Sequence, residues 1–137
     1  MAWGMTDLDI FGLIDAVKSM EQRIAVALFY SGLRLTQYRA LLFIEQEQNA
    51  TVSDLSRHFG ITRATASALA SELIKMDALV AVENPEDRRS FFLKLTRSGS
   101  NKLSVGRRDV ELVMQSIASE YDAETVEQLN RFVAGPG

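Results

Sequence analysis

Apolar positions recur at helical spacing along most of this chain and change to alternation in one place, near residue 79. The clearest stretch is residues 52–76, VSDLSRHFGITRATASALASELIKM. Leu55 and Phe59 lie one helical turn apart, and Leu69, Leu73 and Met76 continue the period on a second segment. Gly60 stands between them, where a helix can end in a left-handed residue without a Cβ clash. Ile61 closes the turn. Ser53 and Thr62 each offer a hydroxyl that can accept an orphan backbone N–H. The pattern predicts two short helices joined by a tight turn, with Ser53 capping the first and Thr62 the second. The outer side of the second helix is small and polar, at Arg63, Ser67 and Ser71.

The flanking segments follow from the same pattern. Residues 7–30 read as one long helix capped by Asp7 or Thr6, with Ile10, Ile14, Val17, Ile24 and Leu28 in register. Phe11, Leu13, Met20, Ala25 and Phe29 widen its apolar face beyond what a surface helix buries, which favours an oligomer contact over a core-crossing helix. Gly32 ends it. A second helix opens at Leu35-Thr36-Gln37, with Thr36 as its cap, and buries Tyr38, Leu41, Leu42 and Ile44. Thr51-Val52 is long enough for a single sheet bridge only. After Met76, LVAVE at residues 79–83 alternates as a strand, Asn84-Pro85-Glu86-Asp87 has turn chemistry, and residues 90–95 return. The returning strand puts Phe91, Leu93 and Leu95 on one face. Thr96 caps a further helix through Leu103, Val110, Val113 and Ile117, which Gly99 and Gly106 weaken locally. Asp122 caps a last helix with Val126, Leu129 and Val133 as its stripe.

Composition narrows the class. Of 137 residues 47% are apolar, so the chain can build a core. No apolar run reaches the length of a membrane span. MAWGMTDLD does not read as a signal peptide, and Met5 offers a second start. The absence of cysteine removes disulfides, thiolate metal sites and thiol redox sensing, and a reducing cytoplasm is the default expectation. Net charge is −3, yet residues 51–102 hold eight Lys/Arg against six Asp/Glu, and the remainder seven against twelve. The basic excess falls on the two-helix motif and the hairpin, where a nucleic-acid partner needs it.

A helix-turn-helix followed directly by a hairpin is the winged-helix arrangement. Its second helix can enter a major groove by its first turn, where Thr62, Arg63 and Ser67 reach bases or phosphates. Arg88 and Arg89 at the hairpin tip suit a narrow, electronegative minor groove. Asp87 beside them can orient a guanidinium by a charge-assisted bond and stiffen the tip. Ser53 and Arg57 face the same side as candidate phosphate contacts, with Arg97 further along. Each of these side chains also has a plain reading as solvated surface. Arg34, Tyr38 and Arg39 could line a ligand pocket, and packing accounts for them equally well.

Together these residues resemble the MarR family of bacterial winged-helix transcription regulators. The marks are Leu35-Thr36-Gln37, the Leu55/Gly60/Ile61 turn, Asp87-Arg88-Arg89-Ser90 after Asn84-Pro85-Glu86, and Leu95-Thr96 with Gly99. The resemblance implies one winged-helix protein over residues 1–137. Its DNA-binding core would span residues 35–100, and its helical dimerisation region residues 6–32 and 101–135. It further implies a homodimer on a pseudo-palindromic operator of double-stranded DNA, usually as a repressor, with Arg89 in the minor groove. Many members release DNA when a small, often aromatic or anionic effector binds, although no effector-binding residue is marked in this chain. The chain departs from the family pattern at Asp77, where glycine is usual. It departs again in the first strand, which carries no basic residue, and in the alanines at 64, 66, 68 and 70. These departures, with the acidic overall balance, keep a second reading open: a winged-helix module for protein contact with little DNA affinity.

Enzyme chemistry finds no support. There is no glycine-rich phosphate loop, and the single histidine, His58, falls inside the helix-turn-helix and is expected as a partly exposed helix residue. No cofactor and no metal site are expected, since one histidine without clustered carboxylates holds no metal.

Overall fold

The computed structural model, which describes residues 7–137, arranges the elements in the expected order. Helix α1 spans Ile10–Ala27 and runs into a short 3-10 turn, Leu28–Ser31. Helices α2 (Leu35–Gln46), α3 (Val52–Phe59) and α4 (Arg63–Lys75) follow. The antiparallel pair β1 (Leu79–Glu83) and β2 (Phe91–Leu95) leads into α5 (Arg97–Ser119) and α6 (Ala123–Ala134). This is a mostly helical winged helix with a hairpin wing.

Three expected caps move. Asp9, and not Asp7, caps α1, accepting the Gly12 N–H at 2.9 Å; Thr6 and Trp3 lie outside the described residues. The first helix also stops short of Tyr30, because its last residues tighten into the 3-10 turn before Gly32 turns left-handed at φ 73°. Thr36 is the second residue of α2 and does not cap it. The cap position is Arg34, whose N–H donates to Gln37 Oε1 at 2.9 Å, so a side chain inside the helix serves the residue before it. Ser53 does not cap α3; Thr51 does.

The core lies between α2, α3, α4, the hairpin and the first half of α5. Leu28, Leu41, Leu55, Leu73, Leu79 and Leu103 are its fully buried large side chains. Leu93 is buried on the inner face of β2, whereas Phe91 on that same face is half exposed beyond the edge of the core. Tyr38 sits inside this core, and burial raises its hydroxyl pKa above the ordinary value. The terminal helices are a different case. Neither α1 nor α6 buries a single residue, and Phe11, Phe132 and Val133 are 74%, 61% and 82% exposed. Leu8, Leu13, Leu129 and Phe132 line one shallow groove, so the start of α1 and the body of α6 share an uncovered apolar face.

The two glycines of α5 let other elements approach. A Cβ at Gly99 would lie 2.0 Å from the Ala78 carbonyl oxygen, and one at Gly106 would lie 3.0 Å from the Tyr38 ring. Gly99 therefore sets how closely the exit of α4 packs on the entry of α5.

Candidate nucleic-acid interface

The helix-turn-helix is fastened at each end by its own side chains. At the start of α3, Thr51 Oγ1 accepts the Asp54 N–H at 3.2 Å and Asp54 Oδ2 accepts the Thr51 N–H at 3.0 Å. This reciprocal capping box satisfies two orphan donors. At its end Gly60 adopts φ 62°, and the Ile61 N–H reaches the Ser56 carbonyl at 3.1 Å. Thr62 then caps α4 as expected, accepting the Thr65 N–H at 3.1 Å. Helix α4 ends in the same manner as α3. Asp77 takes φ 59°, and the Ala78 N–H returns to the Leu73 carbonyl at 2.9 Å. An aspartate thus fills the left-handed position that glycine usually takes.

Helix α4 turns Ala66, Ala70 and Leu73 into the core. The alanine-rich composition therefore divides in two: Ala66 and Ala70 are packing residues, and only Ala64 and Ala68 widen the outer face. That outer face carries Arg63, Ser67 and Ser71, all exposed, with Arg63 in the first turn of the helix.

The wing is held to this motif through the connection before α3. β1 and β2 pair from Leu79↔Leu95 to Glu83↔Phe91, and Leu93 also bridges to Ala50, its N–H donating to the Ala50 carbonyl at 2.7 Å. The single bridge expected at Thr51-Val52 thus falls one residue earlier. At the tip, Asn84 Oδ1 accepts the Glu86 N–H at 3.0 Å and Asp87 Oδ1 accepts the Arg89 N–H at 3.0 Å. The Arg89 guanidinium Nε lies 3.6 Å from the same carboxylate oxygen, too far for a hydrogen bond. Asp87 therefore stiffens the tip mainly through the backbone and leaves the Arg89 side chain 95% exposed.

A polar groove of about 480 Å³ runs between the start of α3, Arg63 and the wing. Ser53, Arg63, Asp87 and Arg89 all line it, joined by Thr51. Four of the residues singled out in the sequence thus meet in one place. Thr62 precedes Arg63 at the cap, and Ser67 lies one turn further along the exposed face. Arg88 is exposed outside the groove, and among the described residues neither it nor Arg63 is in an ion pair. Arg57 folds back on Asp54 at 2.5 Å. His58 stacks on Phe43 with ring centroids 4.2 Å apart. Arg34 and Arg39 line a second, more apolar cavity of about 390 Å³ with Phe59, Leu69 and Glu72, while Tyr38 stays in the core.

The Thr-x-x-Asp spacing of Thr51 and Asp54 is the sequence signal for this capping box. The Thr51 N–H bonded to Asp54 holds its carboxyl below the usual carboxylate range, helped by the Thr51 hydroxyl and Arg57. A lowered folded-state pKa adds stability that is full above the unfolded value and is lost as pH falls through the folded one. With the Asp54 side chain 37% exposed, screening keeps the contribution below about 1 kcal/mol. Urea unfolding should show Asp54→Asn less stable than wild type near neutral pH. The gap should begin to narrow as pH falls through the ordinary carboxylate range and close only below the lowered folded-state pKa, where both side chains are uncharged.

Among the described residues no helix is long and apolar enough to cross a membrane, and no group of three or more His, Asp or Glu side chains could hold a metal ion. No curated protein sequence matches the chain. Residues 31–90 match the MarR family. Among solved structures, the chain is similar to the transcriptional repressor CouR bound to a DNA duplex, with 20% identity, 98% of this chain and 97% of that one covered, and a TM-score of 0.88. The source of CouR is Rhodococcus jostii RHA1. It is also similar to a variant of MarR from E. coli complexed with operator DNA, with 18% identity, 93% and 92% coverage and a TM-score of 0.84. A third is the S. aureus MepR–DNA complex, at 19% identity, 93% and 96% coverage and a TM-score of 0.82. Residues 31–90 thus carry a MarR-family sequence match, and almost the whole chain shares the winged-helix fold of these solved structures.

Proposed function

We propose that this protein is a homodimeric, sequence-specific DNA-binding regulator that represses transcription from a pseudo-palindromic operator in the cytoplasm. The observation that carries this reading is the groove in which Arg63, at the first turn of α4, and Arg89, at the wing tip, stand together, both free to reach a phosphate or a base edge. Thr62, Arg63 and Ser67 address the major groove, Arg89 the adjacent minor groove, and Ser53, Arg57 and Arg88 the phosphates. Asp87 supports the wing. Residues 35–100 form the DNA-binding core, while residues 6–32 and 101–135 form the dimerisation region. The DNA held by the three similar structures supports the same assignment.

Dimerisation is supported by the uncovered apolar face of α1 and α6. Side chains such as Phe11 and Phe132 are large, and an apolar surface of this kind is ordinarily covered by a partner. A two-fold dimer also gives a palindrome its second half-site, about one helical turn away. Sedimentation equilibrium should return about twice 15.2 kDa. The double substitution Phe11→Glu with Phe132→Glu should shift the mass to the monomer. A wild-type monomer at micromolar concentration would contradict the assignment. The largely apolar cavity beside α4 leaves room for a small-molecule effector.

A further inference from the structure

Gln37 and Ser31 are the two buried polar side chains of the described core. The Gln37 amide is used on both sides. Its oxygen accepts the Arg34 N–H at 2.9 Å, and its nitrogen donates to Glu72 Oε2 at 3.2 Å. The Arg34 guanidinium closes on the same Glu72 oxygen. Glu72 lies on α4, so two residues at the start of α2 grip the C-terminal half of the helix whose first turn faces the groove.

We infer that Glu72 is a positioning residue for DNA reading: through Gln37 and Arg34 it fixes the seat of α4 on the side of the molecule that leads back to α1. This rests on the reading of α4 as the helix that enters DNA. The apolar contacts of α4 leave the task open, because two of its three buried side chains, Ala66 and Ala70, are methyl groups that interlock little with their neighbours. The ion pair alone would not suffice, since both charged side chains are well exposed and such pairs are weak. Gln37 makes the difference. Without Glu72 its buried amide N–H loses its partner, and the cheapest remedy is a shift of one helix against the other. Glu72 stands nine residues beyond Arg63, about 13 Å along the axis, so a small tilt at the clamp becomes a displacement of about an ångström at the bases.

Charge and positioning predict opposite signs, which makes the inference testable. Removing a carboxylate from α4 should tighten binding to a polyanion if only Coulomb forces act. Loss of the clamp should weaken it. The probe is a duplex that wild-type protein selects from a random-sequence pool, with an unrelated duplex beside it, and melting temperature is recorded for every variant. Glu72→Ala should bind the selected duplex on the order of tenfold more weakly, the size of one mismatched base pair, and the unrelated duplex no more weakly than wild type. Glu72→Gln should recover most of the loss, since its amide oxygen can still accept from the Gln37 N–H and the Arg34 guanidinium although the charge is gone. Three outcomes would overturn the inference: equal or tighter binding of the selected duplex by Glu72→Ala, a parallel loss on both duplexes together with a fall in melting temperature, or no recovery in Glu72→Gln. A wild-type protein that selects no sequence would instead remove the DNA-reading premise, and the clamp's role with it.

Discussion

Gly99→Ala is expected to be the most destabilising single-methyl addition in the chain, lowering stability by about 3 kcal/mol and the melting temperature by on the order of 10 °C. The new Cβ would sit 2.0 Å from the Ala78 carbonyl oxygen and 2.8 Å from its carbon. That carbonyl cannot swing away cheaply, because it already accepts the Thr96 N–H at 3.1 Å. Thr96 in turn caps α5 through the Gly99 N–H at 2.9 Å and donates its hydroxyl to the Asp77 carbonyl. One added methyl group therefore pushes on the joint that sets α4, the hairpin and α5 against one another. Gly106→Ala is the control. Its Cβ would meet only ring and methyl atoms of Tyr38 and Leu28 at 3.0 and 3.1 Å, side chains that can turn aside, and the cost should stay below about 1.5 kcal/mol. Thermal melts of the two variants check the contrast; equal melting temperatures would show that the Ala78 contact relaxes freely.

The second large effect concerns DNA. In a dimer every side chain acts twice. A substitution costing about 1.5 kcal/mol at one half-site costs about 3 kcal/mol at both, or roughly a hundredfold in affinity. Arg89→Ala should reach this magnitude, because the residue is exposed, aimed outward and held in place by a backbone bond that the substitution leaves intact. Arg63→Ala should do the same through the major groove. Arg57→Ala should cost far less, since its guanidinium is already engaged by Asp54. Filter binding or anisotropy on one duplex orders the three. If Arg57→Ala proves as costly as Arg89→Ala, the charge of this face would matter and its geometry would not.

Much of this architecture is legible along the chain, and the places that are not share one cause. Gly60, Thr62, Thr96 and Asp122 act through partners within a few residues, and each does what its type and position predict. The cap of α3 was legible only as a pair. Ser53 and Thr51 are both good caps, and Asp54, three residues after Thr51, decides between them. Arg34 is no capping residue by type, and the side chain of Gln37 takes over the task. Gly99 reads as a weak point in a helix until Ala78, from another element, is seen above it. Likewise the burial of Ala66 and Ala70, the meeting of Ser53 with Arg89, and the grip on Glu72 all depend on contacts far apart in sequence. The candidate DNA residues were legible as types and spacing; the convergence of Ser53, Arg63 and Arg89 on one groove, with Arg88 outside it and Arg57 turned back on Asp54, needed three dimensions.

Sequence-selective binding of DNA by the winged helix is tested most directly by fluorescence anisotropy of wild-type protein on the selected and an unrelated duplex across a salt series. Affinity well below micromolar is expected for the selected duplex at near-physiological salt. Log affinity should fall steeply with log salt, by about 0.9 per phosphate neutralised, and the unrelated duplex should bind at least a thousandfold more weakly, as about expected of specific sites. Weak binding to both duplexes with a flat salt dependence would contradict it and turn the winged helix into a surface for protein partners.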